Sequence, residues 1–319
     1  MCSISQRRNN LYNILILVDN VPAWVYNLSI DNVKIFKLDE LKNPNDIDAI
    51  IIFHARDIKK VNLKAFTGLK LIKTITAGTD HIPDDIKKKY RVLGTHGPNA
   101  KYIAEHALSL SLACARRLLF HTNTMKKGEF HQQETYHRTL FNSKVLIMGF
   151  GPIGRYTAGI FKRTFNANIT IFKKTPEIHH MFKKIVGTVI TNFEELLHIL
   201  PSYDVVINTL PLTKQTHSLV SHRFLSKLKE DVIIINVSRG KVISEKDLFN
   251  FLKTHKNACC GNDVWYRYPK NNEPFKQDFP FEELDNIVTT PHNAPSVKGY
   301  FHNMLKASIY QVKRDLNRL

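Results

Sequence analysis

The stretch KVLIMGFGPIGRYTAGIF, residues 144–161, constrains the fold more than any other part of the chain. A β-branched apolar run meets Gly149-x-Gly151-x-x-Gly154 and passes straight into a helical pattern. In such a turn the first glycine permits the tight bend and the second lets backbone approach a ligand. The third lets strand and helix pack closely. Pro152 and Ile153 open the helix, where proline suits the first turn and free N–H groups attract phosphate. A second apolar run, NITIF (168–172), follows at the distance of a βαβ unit. In that setting the turn predicts a dinucleotide site; the alternative is a glycine turn with a packing role alone.

The same alternation runs through the chain. Strand candidates are 13–18, 49–53, 70–75, 144–149, 168–172, 204–210, 231–237 and 286–290. Helical patterns fall between them: the longest covers 100–119, and a last one covers 296–316. Asn192 with Glu195, and Ser244 with Asp247, are helix-start signatures. Continuous apolar strands alternating with helices predict α/β architecture with doubly wound parallel sheets. THGPNA (95–100) and TTPHNAPS (289–296) punctuate the chain. They suggest a central dinucleotide-binding domain over 98–292, flanked by 1–97 and 293–319.

With 319 residues, 43% of them hydrophobic, the chain can bury two ordinary cores. No apolar run nears the roughly 18 residues of a membrane span, and NILILV is too short for a signal peptide. Cys2, Cys114, Cys259 and Cys260 show no metal spacing, so no metal site and a reduced, cytoplasmic setting are expected. The net charge of +18 is spread along the chain, with lysine pairs interleaved with acids. No nucleic-acid motif accompanies it, which argues for solubility and a bias toward anionic small ligands.

The strand NITIF runs into Lys173, Lys174 and Thr175, where an acid would ordinarily bind the adenosine ribose. Two readings fit: a pocket for the 2′-phosphate of NADP, or one more solvated lysine pair. Three further stretches, 209–217, 236–242 and 290–295, follow strand ends in the same domain, where ligands of open α/β sheets lie. Arg239 sits on a tight turn beside Gly240, and a guanidinium there can bind a carboxylate with two parallel bonds. His292 follows a proline. Taken singly, Arg239 reads as a solvated turn residue and His292 as a loop histidine; their common location makes them candidates.

These stretches occur in a familiar order: TAGTDHI (76–82), HGPNAKYIAEHAL (96–108), MGFGPIG (148–154), TLPLTKQT (209–216), NVSRGKVISEKDL (236–248), NDVWYRYP (262–269) and TPHNA (290–294). Across 76–294 the sequence resembles the D-isomer-specific 2-hydroxyacid dehydrogenases, which include phosphoglycerate dehydrogenases and glyoxylate/hydroxypyruvate reductases. The resemblance implies a Rossmann coenzyme domain inserted in a flavodoxin-like substrate domain, and a homodimer. It implies that Ala77, Gly78 and Thr79 bind the substrate carboxylate through backbone N–H groups. Thr209, Pro211, Thr216, Val237 and Ser238 would line the cofactor, and Asp263 would contact the nicotinamide amide. Arg239 would hold the carboxylate and carbonyl, and His292 would donate the proton. The implied cofactor is NADP(H) or NAD(H), the lysines favouring NADP(H). The implied partner is a small 2-oxo or 2-hydroxy acid.

One position departs from the family. The site glutamate that precedes a proline is here Tyr268, before Pro269. A carboxylate beside the histidine would hold its tautomer and raise its pKa; a tyrosine brings no charge near neutral pH. Glu273 is near in sequence. The departure leaves open a weakly active nucleotide-binding regulator on the same scaffold, and hydride transfer without proton transfer, as in formate dehydrogenases.

Overall fold

In Ala49–Ile52 all four side chains are buried, so both faces of that strand must be covered. The computed structural model, which describes residues 11–132, 137–269 and 273–319, shows how. Cys2 and the polar start of the chain lie outside the described residues. The chain divides into two units, one up to residue 98 together with 298–319, the other 99–297.

The first unit contains β1 (Tyr12–Ile16), β2 (Val33–Phe36), β3 (Ala49–Ile52), β4 (Leu71–Thr74), α1 (Asp84–Lys89) and β5 (Val92–Gly94). The strands are all parallel, in the order β2-β1-β3-β4-β5. Alternation along each strand divides the core. Ile14, Ile16, Ala49 and Ile51 join one cluster, while Leu15, Leu17, Ile50 and Ile52 join the other.

The second unit opens with α2 (Ala100–Ala115) and α3 (Leu118–Lys126). It continues through β6 (Lys144–Met148), α4 (Pro152–Phe165), β7 (Asn168–Phe172), β8 (Val186–Ile190), α5 (Phe193–Ile199) and β9 (Val205–Asn208). After these come α6 (His222–Leu225), β10 (Ile233–Asn236), α7 (Glu245–Thr254), β11 (Cys259–Asn262) and β12 (Ile287–Thr289). The seven parallel strands run β12-β11-β10-β9-β6-β7-β8. The chain steps outward from β6 to β8, then returns to β9 on the other side of β6. Such a reversal opens a crevice at the carboxyl ends of the central strands. The chain then rejoins the first unit as α8 (Tyr300–Leu316).

Several local expectations change. The helix expected over 100–119 is two helices, because Arg117 takes a left-handed φ of 47° and α3 restarts behind it. The helix expected from 296 starts at Tyr300, after Gly299 at φ 80°. β2, β5, β8 and β11 are absent from the sequence reading. The first three are short or partly exposed, and CCGN in β11 lacks β-branched residues. β11 sends Cys259 and Cys260 into different cores, as successive strand residues point to opposite faces. Both predicted caps form: the Asn192 side chain accepts from Glu194 and Glu195 N–H groups, and the Ser244 hydroxyl from Asp247 N–H. Among the described residues no helix is long and apolar enough to cross a membrane.

α8 is tied to the first sheet by a buried ion pair, Lys73 Nζ to Asp315 Oδ2 at 2.7 Å. For Asp315, burial pushes the carboxyl up, but the bond and charge of Lys73 and the adjacent Arg314 together hold it below its usual value. For Lys73, burial pulls the ammonium down further than Asp315 restores it. The pair therefore locates the helix more than it adds stability. Asp315→Asn, which strands a buried charge, should cost about 3–5 kcal/mol in urea unfolding, whereas Lys73→Met with Asp315→Leu should recover most of that loss.

Candidate active site

Strand register brings the candidate segments of the second unit to one edge. Met148 pairs with Asn208, Asn208 with Asn236, Asn236 with Asn262, and Asn262 with Thr289. The glycine turn and the segments starting at Thr209, Val237, Asp263 and Thr290 all leave the sheet just past that level. Lys173 leaves beside them, since Phe172 pairs with Met148.

Three adjacent strands end in asparagine, and the side chains carry the hydrogen bonding onward as the strands diverge. Asn208 Nδ2 donates to Asn236 Oδ1 at 3.0 Å, Asn236 Nδ2 to the Arg239 carbonyl at 3.3 Å, and Asn262 Nδ2 to the Val264 carbonyl at 2.7 Å. The sequence motifs assign none of the three a role. Their signal was a polar residue closing each of three apolar runs, VVIN, IIIN and CCGN.

The glycine turn has the shape its spacing implies. Gly149 sits at φ 99°, and a Cβ at Gly154 would lie 2.3 Å from the Gly149 carbonyl oxygen. A Cβ at Gly151 would meet nothing within 4 Å, so that glycine faces open space at the start of α4. The donors and the space suit a pyrophosphate. Thr209 Oγ1 lies 3.0 Å from both the Met148 and the Gly149 carbonyls, bracing the turn. Thr216 Oγ1 donates to the Pro211 carbonyl at 2.5 Å and accepts from Thr213 N–H at 2.8 Å, closing the 211–216 loop. Val237 and Ser238 are buried, and the Ser238 hydroxyl bonds the Leu210 carbonyl.

Arg239 is half-buried and caps the turn Gly240–Val242, with its Nη1 donating to the Ser238 carbonyl at 2.8 Å. A Cβ at Gly240 would lie 2.5 Å from the Trp265 carbonyl, so the arginine turn and the segment after β11 touch backbone to backbone. Asp263 is 1% exposed. Its Oδ1 accepts from the Thr290 hydroxyl at 2.6 Å and Asn293 N–H at 3.0 Å, and its Oδ2 from Ala294 N–H at 3.2 Å. The Trp265 indole donates to the Thr290 carbonyl at 2.9 Å. Between these anchors His292 is exposed, at φ 56°. The Tyr268 ring lies 5.3 Å from the His292 ring, tilted by 36°, and its Oη accepts from Trp265 N–H at 3.1 Å. Tyr268 thus occupies the histidine's immediate surroundings, while Glu273 is exposed. Trp265, Thr290 and His106, which touches Thr290, are further members of this network that sequence reading left without a role.

Past β7, Lys173 is half-buried and its Nζ donates to the Glu177 carbonyl; Lys174 and Thr175 are exposed. Ala77, Gly78 and Thr79 belong to the first unit, in the loop after β4. There the Thr76 hydroxyl donates to the Gly78 carbonyl at 2.9 Å, and Gly94 packs too closely on Ala77 for any side chain. Among the described residues no group of three His, Cys, Asp or Glu could hold a metal ion.

Residues 108–294 match the family model described as D-isomer specific 2-hydroxyacid dehydrogenase, NAD binding domain. The chain belongs to that family. It is 30% identical over 262 residues to a glyoxylate reductase of Thermofilum pendens, covering 80% of this chain and 74% of the relative. It is 28% identical over 253 residues to a D-3-phosphoglycerate dehydrogenase of Archaeoglobus fulgidus, covering 79% of this chain but 46% of that longer protein. Among solved structures, an acyclic imino acid reductase in complex with NADPH and D-Arg superposes with a TM-score of 0.73 at 21% identity, covering 96% of this chain and 97% of that one.

The glycine geometry separates two roles. Gly151→Ala should leave the melting temperature within about 2 °C, since the space is open, yet weaken nicotinamide-cofactor binding roughly tenfold or more. Gly154→Ala should cost about 1–3 kcal/mol of stability through overpacking. Thermal unfolding and cofactor fluorescence titration of both variants check this.

Proposed function

We propose that the protein is an NADPH-preferring reductase of small 2-oxo acids to D-2-hydroxy acids, with glyoxylate or hydroxypyruvate as substrate class, reversible in principle. The observation that carries this reading is the convergence of Arg239, Asp263 and His292 on one sheet edge beside the glycine turn. When bound, the nicotinamide supplies a hydride to C2 of the oxo acid. Gly151, Pro152, Ile153 and Gly154 hold the pyrophosphate, Thr209 and Thr216 shape the wall beside it, and Pro211, Val237 and Ser238 complete that wall. Asp263 Oδ2 has taken one donor, which leaves capacity for a carboxamide N–H. Arg239 pairs with the substrate carboxylate and polarises the carbonyl. Protonated His292 gives its proton to the developing alkoxide, and this proton with the hydride completes the alcohol.

The lysines supply the cofactor preference. An ammonium has three donors, and Lys173 has placed one on Glu177, which orients it while leaving two for a phosphate. Initial rates with NADPH and NADH should give a lower KM for NADPH, and Lys173→Asp should erase the difference. Equal KM values that ignore the substitution would remove the 2′-phosphate reading. Arg239→Ala should lose most of kcat/KM while still binding NADPH.

Tyr268 against His292 favours a second reading, a weakly active nucleotide-binding regulator. The pH–rate profile decides between them. Reduction needs protonated His292, so kcat/KM should fall as pH rises through its pKa. Tyr268→Glu should move that falling limb alkaline by about 1 unit or more, because a nearby carboxylate favours the imidazolium. A wild type without turnover on glyoxylate, hydroxypyruvate, pyruvate or phenylpyruvate would leave the regulator.

A further inference from the structure

His106 has no part in the roles assigned above. It projects from α2, with its side chain 22% exposed, and its Nε2 lies 3.0 Å from Thr290 Oγ1 and 3.6 Å from Asp263 Oδ1. A count of protons settles the direction of this chain. The Thr290 hydroxyl has one hydrogen, and it lies 2.6 Å from a carboxylate oxygen that can only accept. Thr290 therefore donates to Asp263 and accepts from His106, which must carry its proton on Nε2. The carboxylate so engaged also receives the N–H groups of Asn293 and Ala294, the two residues that follow His292. On the other side of His292, the Thr290 carbonyl is held by the Trp265 indole.

Placement supports the same conclusion. α2 lies against β11, where a Cβ at Gly261 would come within 2.8 Å of Leu110 Cβ. Leu110 is one helical turn beyond His106, and Gly261 is two residues before Asp263. One turn of helix and two residues of strand span similar lengths, about 6 Å each. The close approach at Gly261 is thus what brings His106 level with the end of β11. A left-handed φ at a non-glycine residue such as His292 persists only where its surroundings over-determine it.

We propose that His106 is a positioning residue for His292. Its Nε2–H fixes the Thr290 hydroxyl on Asp263, and the oriented carboxylate sets the backbone that presents the imidazole to substrate. This rests on the reading of His292 as proton donor. His106→Leu and Thr290→Val remove the donor and the relay without introducing charge, and the second keeps the shape. His106→Gln retains an amide N–H near the place of Nε2.

With glyoxylate and NADPH, His106→Leu and Thr290→Val should each lower kcat roughly 10–100-fold, the range expected of a small misplacement, with a smaller rise in NADPH KM because Asp263 keeps its two main-chain donors. His106→Gln should recover most of the loss. The double variant His106→Leu/Thr290→Val should be no slower than the slower single one, because either change breaks the same chain. Wild-type kcat in His106→Leu, equal slowness of His106→Gln and His106→Leu, or losses that multiply would each overturn the proposal. Nitrogen-15 imidazole spectra test it without turnover. His106 should show the Nε2–H tautomer, and the His292 resonances should move in His106→Leu and Thr290→Val but not in His106→Gln. An inactive wild type with that coupling present removes the reductase reading and keeps the positioning role. An active wild type whose His292 resonances ignore both changes does the reverse. Should His106→Leu fail to fold, the isosteric Thr290→Val carries both readouts.

Discussion

The turn bearing His292 hangs on one buried carboxylate. A carboxylate taken out of water loses several kcal/mol of solvation unless hydrogen bonds replace it. Asp263 is compensated by a threonine hydroxyl and two main-chain N–H groups of the 290–294 turn. The requirement acts in both directions. The turn satisfies the acid, and the acid leaves the turn one conformation, including the left-handed His292. Trp265, two residues on, holds the Thr290 carbonyl through its indole and the Tyr268 hydroxyl through its main chain, and it abuts Gly240 beside Arg239. The arginine turn, the tyrosine and the histidine turn thus have a common neighbour.

A parallel sheet leaves its last N–H and C=O groups unmatched where strands part into loops. The asparagines at 208, 236 and 262 meet that problem with side chains that imitate peptide groups. Because each ends a strand in matching register, the loops after β9, β10 and β11 leave the sheet from one braced edge rather than from frayed ends. A site built on such an edge inherits the rigidity of the sheet, although all its working residues are on loops.

What could be read in the sequence followed strength of pattern. The glycine turn was legible because its three glycines answer to distinct steric needs, each visible in the close contacts around them. The buried β3 and β10, and β6 beyond its exposed Lys144, were legible as apolar runs. β11 was not, since two cysteines, a glycine and an asparagine have no β signature and their conformation is imposed by neighbours on both sides. The break at Arg117 was hidden by an apolar pattern that continues across it; backbone dihedrals there depend on packing that no local pattern records. Arg239 and His292 stood out by chemistry and place. His106 did not, because its partner Thr290 is 184 residues away and a lone histidine on an apolar helix reads as filler.

The pairing of Lys73 with Asp315 joins residues 242 positions apart, on either side of the second unit. On a ribosome, the strand carrying the lysine emerges long before the helix that neutralises it, and the whole second unit is made in between. The inserted unit has all its strands and both its cores in hand before α8 appears, so it can complete its folding first. Until then the first unit lacks the α8 side chains of one of its two cores, and buried Lys73 lacks its partner. Its last step of assembly waits for α8, and a truncation of α8 would act as a folding defect in strands made long before it.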